Sequence, residues 1–424
     1  MTQLLNHRFF TFNSVIRVNQ IESTRTLTRG VDEAADHTPE SVEMLREALR
    51  AGCPDARMTW AVSWRALWDD RPNYRQIREL LVRYHREYGD DVTAIVGAFF
   101  PNVYSTREQV NDDWHEALAR VSEIVGGGYR PGSVIAGFLA AENHRYLAEV
   151  ENVHVCQGNI WSQYAIDEQG GDGSLCYPYY PSREHFCKPA QGPADFIDCV
   201  SLDGWTCDFL AARRPGFAEG FNSRLGVGPI ETLGHYDSET ALRQILATTA
   251  VHFDQGFALN GFAWVTVAWE AVLVPQVGHL DALTTWLKEM CSRWPGTKVV
   301  PLAEFGEAWR SECRDNGPIN YRFIQRGTGI GGSDANLEIR WFMNREFRLA
   351  LLRDWQINGP TQVIDFTRYD LPAREPQDLG EGDWSLLGQI NQKRLRPQDN
   401  PIPLRDLPAS DVERILSRYP ELDS

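Results

Sequence analysis

The chain has 424 residues, 42% of them apolar and 24% charged, a globular composition that excludes a disordered chain. With 42 Lys+Arg against 58 Asp+Glu the formal net charge is −16. That argues against a protein gripping nucleic acid through its phosphates and favours a neutral or cationic partner.

The opening MTQLLNHRFF has neither a basic n-region nor an apolar h-region, so the cytoplasm is the expected location. FTFNSVIRVNQI (10–21) is β-branched and aromatic and predicts a strand. Thr38-Pro39-Glu40 then reads as an N-cap, a Pro at the first helical position and an acidic first turn, opening a helix that stops at Gly52. The next strand is 58–64, followed by a helix over 73–89 with a terminal Gly89 and a third strand over 92–100. A Ser-x-x-Glu start opens a helix over 105–128. YRPG (129–132) reads as a turn or strand end, 133–150 as a helix and 152–156 as a short strand.

The long irregular stretch 157–195 is of a kind that is usually functional. Then come a strand (196–202), a loop (203–237), a helix (238–253), a strand (262–269), a helix (280–294) and a strand (298–302). The apolar run 256–275 contains Asn260 and Glu270 and reads as a buried strand, so no membrane span is expected. Repeated βα units predict a parallel sheet, and seven or eight of them close into a (β/α) barrel over residues 1–315. An open doubly wound sheet is the alternative, but no GxGxxG follows the first strand. Residues 316–424 read as a small antiparallel β domain with strands at 319–327, 336–344, 347–355 and 361–371, a surface-wrapping tail and a last helix at 409–419.

In such a barrel, chemistry gathers where the strands end. Four carboxylates fall there: Glu22, Asp167, Asp203 and Glu270. Two carboxylates in unlike surroundings can serve as acid and base, or acid and nucleophile. Each has an alternative reading as a helix cap or as a partner of Arg65 or Arg130. Trp161, Trp205 and Trp269 offer flat faces for sugar rings, while Gln157, Asn159 and Gln20 offer hydroxyl contacts. Arg130 is expected at the fourth strand end and His154 within the fifth strand, as a core histidine or as an inward donor or ligand. Eight Cys form no CxxC pair, and HExxH, HxxxH, P-loop and GxSxG motifs are absent. No cofactor is expected, although a divalent metal held by His154 with Asp203 or Asp167 stays open.

GYRPGSVIAG (128–137), ENVHVCQGNIWSQYAIDEQGGDG (151–173) and the strand plus final helix–strand pair over 260–302 resemble the glycoside hydrolase/deacetylase superfamily of distorted (β/α)7 barrels. RFFTFNSVIRVNQIE, QGNIWSQYAIDEQGGDG and YRFIQRGTGIGGSDANLEIRWFMNREFRLALLRDW resemble, more closely, a bacterial family that pairs a glycosidase-like barrel with a small C-terminal domain. Arg130-Pro131 resembles the Arg-Pro motif of polysaccharide deacetylases. The Asp pair and HxxxH of metal-dependent deacetylases are missing, because the first strand ends Asn19-Gln20-Ile21-Glu22. The resemblance therefore implies the fold more firmly than the reaction.

The expected function is a carbohydrate-active hydrolase acting on a carbohydrate or glycoside. Asp203 and Glu22 are the main pair and Glu270 a third candidate. A metal-dependent sugar deacetylase and a catalytically inactive sugar-binding barrel are the alternatives. No nucleic-acid or membrane partner is expected, and an imported oligosaccharide or small glycoside suits the expected location better than a polymer.

Overall fold

Alternation along RFFTFNSVI sets the architecture. In strand β1 (Arg8–Ile16), Phe10, Phe12 and Ile16 face the helices, while Phe9, Thr11, Asn13 and Val15 face inward. Both faces are buried, as expected for a strand in a parallel sheet covered by helices. The structure is a computed structural model and describes residues 3–97, 100–159, 172–204, 206–214, 216–218, 220–276, 278–357, 359–379, 384–391 and 400–423. The sequence-predicted Trp161, Asp167 and Trp205 lie outside the described residues.

Six more parallel strands complete the wall: β2 (Thr59–Ser63), β3 (Asp91–Ile95), β4 (Val134–Ile135), β5 (Val155–Asn159), β6 (Val200–Asp203) and β7 (Ala263–Glu270). Their order is β7-β1-β2-β3-β4-β5-β6, and β8 (Lys298–Val299) also pairs with the start of β1. The result is a nearly closed parallel barrel. Among the described residues β6 and β7 share no ladder; Thr206 bridges the seam, its N donating to Thr266 O at 3.0 Å and its Oγ1 accepting from Thr266 N at 3.0 Å.

Helices α1 (Pro39–Gly52), α2 (Pro72–Tyr88), α3 (Arg107–Val125), α4 (Ala141–Glu149), α5 (Ser238–Ala250), α6 (His279–Arg293) and α7 (Leu302–Glu312) surround the wall. Thr38 caps α1 through Ser41 N, as its sequence predicts. The box that opens α3 is Thr106 with Gln109, one residue after the predicted Ser105 start. Two further boundaries are corrected. The segment read as one helix over 133–150 holds β4 and then α4, because Ala136 N donates to Gln157 O and Ala140 N to Asn102 Oδ1. The predicted strand 10–21 stops at Ile16, and Asn19–Ile21 pairs instead with Arg29–Asp32 in a two-stranded ribbon.

Beyond α7 the chain forms a five-stranded antiparallel sheet: β9 (Asn320–Arg326), β10 (Leu337–Asn344), β11 (Phe347–Asp354), β12 (Gln362–Arg368) and β13 (Ile402–Pro403). One apolar cluster runs from the barrel interior (Phe9, Val15, Ile135, Leu202) into this sheet (Phe323, Ile339, Trp341). A fully buried ion pair joins Arg348 of β11 to Asp365 of β12 at 2.9 Å, and Arg348 Nη1 also donates to Ser174 O at 2.8 Å. Removing one partner of a buried pair leaves an uncompensated charge. Arg348→Met should therefore destabilise the chain by about 3–5 kcal/mol, read as a lowered urea midpoint.

Candidate functional site

The barrel interior changes character along its axis. Phe9, Val155 and Trp264 fill the N-terminal end. Above them Thr11 Oγ1 donates to Thr266 Oγ1 at 2.8 Å and accepts from Trp264 Nε1 at 3.0 Å. One layer higher, Asn13 Nδ2 donates to Gln157 Oε1 at 3.0 Å. Asn13 and Thr266 are fully buried and Gln157 nearly so. Polar groups are costly inside a barrel unless paired, so a polar layer leading to the C-terminal mouth marks where a polar ligand would be met.

At the mouth, the β5–β6 ladder slips at Gly158: Gln157 pairs with Leu202 and Asn159 with Asp203. Bulges of this kind re-aim a side chain. Asn159 Nδ2 donates to Ser174 Oγ at 2.5 Å, and Asp203 Oδ1 accepts from Gly204 N at 2.8 Å. Asp203 is only 6% exposed. Burial pushes the neighbouring Cys176 thiol well up, and the Asp203 charge pushes it the same way.

On the other side, buried Arg17 just past β1 binds two carboxylates. Its Nε lies 2.6 Å from Glu33 Oε2 and its Nη2 2.7 Å from Glu270 Oε2. Burial works against the Arg17 charge, but Glu33 and Glu270 more than offset it and raise its pKa. For Glu33, burial works against ionisation, yet hydrogen bonds with His37 and Arg17 and the Arg17 charge bring it down to about 2.

Glu22 is engaged by donors on every side. Its Oε1 accepts from Val18 N at 2.7 Å, Asn19 N at 3.3 Å and Ser63 Oγ at 2.8 Å, and its Oε2 accepts from Arg65 N at 3.2 Å. It thus sits at the N-terminus of the short helix Trp64–Trp68, where backbone N–H groups point outward to acceptors. Val15, Arg17, Asn19, Gln20, Glu22, Ser63 and Ile95 line a narrow crevice here. Gln20 stands exposed on the ribbon, against Gly30, whose φ of +75° suits glycine.

The structure thus gathers Asp203, Glu270, Glu22, Gln157, Asn159 and Gln20 on the mouth side. Three other expectations are corrected in position. Trp269 is 1% exposed and packs on Phe12, 6.0 Å between ring centroids, on the helical side of β7, so it presents no face to a sugar. Glu270, one residue on, faces inward because successive side chains alternate. His154 precedes β5, and its Nδ1 lies 2.6 Å from Asp198 O at the N-terminal end. Arg130 precedes β4 and donates to Ser122 Oγ at 3.2 Å beside the end of α3. Its neighbour Tyr129 bonds Val92 at the start of β3, so Arg130-Pro131 does not end a strand at the mouth.

The sequence does not single out Arg17, Glu33, Asn13 or Thr266; for Asn13 and Thr266 the available signal is a polar residue at period two within an apolar strand. A metal shared by His154 and Asp203 does not fit. They lie at opposite ends of paired strands, four ladder steps or about 13 Å apart. Among the described residues no three His, Cys, Asp or Glu gather as metal ligands.

The depressed Glu33 pKa has a signed consequence. Its stabilisation is present above the usual value near 4.5 and is lost as pH falls toward about 2. Glu33→Gln should therefore flatten the fall of the unfolding midpoint between those two pH values, which thermal melts across that range would read.

The sequence matches a family described as a domain of unknown function with a solved structure, DUF3863, over residues 2–343, and a second, DUF3864, over 348–422. No curated protein matches it. A solved structure of a putative glycoside hydrolase/deacetylase from Parabacteroides distasonis is 49% identical, covers 99% of both chains and superimposes with a TM-score of 0.94. A putative polysaccharide deacetylase from Mycobacterium smegmatis is 14% identical over 73% of this chain and 94% of its own, with a TM-score of 0.44. The match over residues 2–343 and the 49% identity along nearly the whole length make the chain a member of the DUF3863 family.

Proposed function

We propose that this chain is a carbohydrate-active hydrolase, and within that class a glycoside hydrolase in which Asp203 and Glu270 carry the reaction. The class is supported by the description of the 49%-identical relative as a putative glycoside hydrolase/deacetylase. The reaction rests on one observation: Asp203 and Glu270 end the two strands that flank the unpaired seam, in unlike surroundings. Asp203 is buried beside Asn159 and Cys176, whereas Glu270 is partly open and paired with Arg17. Unlike surroundings separate the duties of two carboxylates, one giving a proton to the leaving oxygen and the other acting on the opposite face of the sugar.

In this reading Asp203 is the proton donor and Glu270 the second carboxylate, oriented by Arg17. Glu22, already accepting four hydrogen bonds, becomes a positioning residue that fixes the Val18–Asn19 backbone and the crevice. Gln157 and Asn159 bind sugar hydroxyls, Trp161 and Trp205 stack on its ring, and Asp167 is a third carboxylate. We also propose a domain division near 315, supported by the end of α7 at Glu312 and the start of the antiparallel sheet at Asn320.

A panel of aryl glycosides and acetylated sugars, assayed with and without chelator, tests the reading. Glycoside cleavage that survives chelator is expected. Asp203→Asn and Glu270→Gln should each lower kcat by about 10²- to 10⁴-fold, with the thermal midpoint within about 3 °C of the parent. Acetate release that chelator abolishes, with glycosides untouched, would establish the deacetylase reading instead. Full activity in either variant would remove that residue from the mechanism.

A further inference from the structure

Two thiols on the outer helical ring, remote in sequence, meet in the fold. Cys53 caps the end of α1, with its N donating to Leu49 O, and Cys291 lies in the last turn of α6. The two helices are in close contact along this line. Thr284 Oγ1 donates to Ala48 O at 3.1 Å, and one turn on, a Cβ added to Gly52 would come within 2.6 Å of Leu287 Cβ. Glycine at 52 is what lets the helices approach so closely, and the next step along both brings Cys53 to Cys291. Both thiols are free and partly exposed, unlike buried Cys156, Cys176, Cys187, Cys199 and Cys207.

The two thiols face each other across this contact. The interaction with the Cys291 thiol is the main cause that brings Cys53 down to about 7, helped by the Asp55 and Ala56 backbone and opposed by burial and the Asp55 charge. The same interaction pushes Cys291 well up. A low-pKa, accessible thiol beside a second thiol is the arrangement of a nucleophilic cysteine with its resolving partner.

We propose that Cys53 and Cys291 are a redox modification site, at which a low-molecular-weight disulfide such as oxidised glutathione converts the two thiols into an intramolecular disulfide joining α1 to α6. The Cys53 thiolate attacks one sulfur of the small disulfide, forming a mixed disulfide and expelling one thiolate. Cys291 then gives up its proton and attacks the Cys53 sulfur, forming the protein disulfide and expelling the second thiolate. Two protein thiols are oxidised and one small disulfide is reduced to two thiols. The bond would tie chain positions 53 and 291, closing a long loop of the unfolded chain.

The test equilibrates the folded 424-residue chain in buffers of varying oxidised to reduced glutathione, blocks remaining thiols, and maps peptides without reduction. The expected product is about 2 Da lighter before blocking, carries a peptide cross-linking Cys53 to Cys291, and melts a few degrees higher than the reduced form. Cys291→Ser should instead accumulate a stable glutathione adduct on Cys53, and Cys53→Ser should lose the cross-link altogether. A wild-type protein that keeps both thiols free, or stops at a glutathione adduct on Cys53, in the same oxidising buffer would overturn the proposal. Because the wild-type mapping alone can overturn it, a variant that fails to fold does not decide the matter.

Discussion

The seam between β6 and β7 governs much of the rest of the structure. A seven-stranded parallel wall that does not close leaves two strand edges, and an uncovered edge is an invitation to pair with another chain. Here the edges are covered from within. Tyr179 exchanges both backbone hydrogen bonds with Ser201 on β6. Tyr177 places its hydroxyl between Trp264 N and Trp264 O on β7, accepting from one at 3.0 Å and donating to the other at 2.8 Å. That ring is fully buried and is itself held by Phe323 and Tyr321 of β9, at 4.8 and 5.3 Å. The antiparallel sheet is therefore the backing of the segment that seals the barrel. Arg348 adds a second tie from the same sheet to Ser174 O, next to the Ser174 hydroxyl that binds Asn159.

This arrangement explains why the mouth is polar without being open. The seal supplies Ser174, Cys176 and Cys187 to the side of the mouth where Asn159 and Asp203 sit, and the ribbon with Arg17 and Glu22 supplies the opposite side. Buried polar networks are expensive when partly satisfied and rigid when complete. The layers from Thr11 through Asn13 to Asn159 are largely complete, with Asn13 Oδ1 the acceptor that lacks a partner among the described residues.

Much of the barrel was legible because its helices carry local chemistry that tertiary contacts did not override. Thr38-Pro39, the terminal Gly89 at φ +76° and the amphipathic run of α2 each announce themselves within a few residues. The strands were harder because a strand's boundaries are set by its neighbours. β4 is two residues long and has no period to detect, so an apolar run read as helix concealed it and displaced Arg130. The fifth strand was placed three residues early, which put His154 inside the wall when its partner strand leaves it beside Asp198. Trp269 shows the finer limit. Its neighbour Glu270 was rightly placed at a strand end, but whether a residue faces inward depends on parity, and parity is fixed only by the ladder with β1.

The Arg17 cluster carries the argument furthest. A largely buried ionic cluster is a weak stabiliser, and well-packed apolar residues of similar volume often serve as well or better. Its presence at one point, the junction of β1, the ribbon and β7, therefore asks for another reason. Glu33 holds one edge of the guanidinium, so the remaining donors reach Glu270 in a fixed direction at 2.7 and 3.2 Å. An apolar trio would anchor the ribbon but could not orient a carboxylate at the end of β7. What the triad provides beyond packing is a carboxylate held in one direction at the end of β7, across the seam from Asp203, which is what the proposed reaction would ask of its second group.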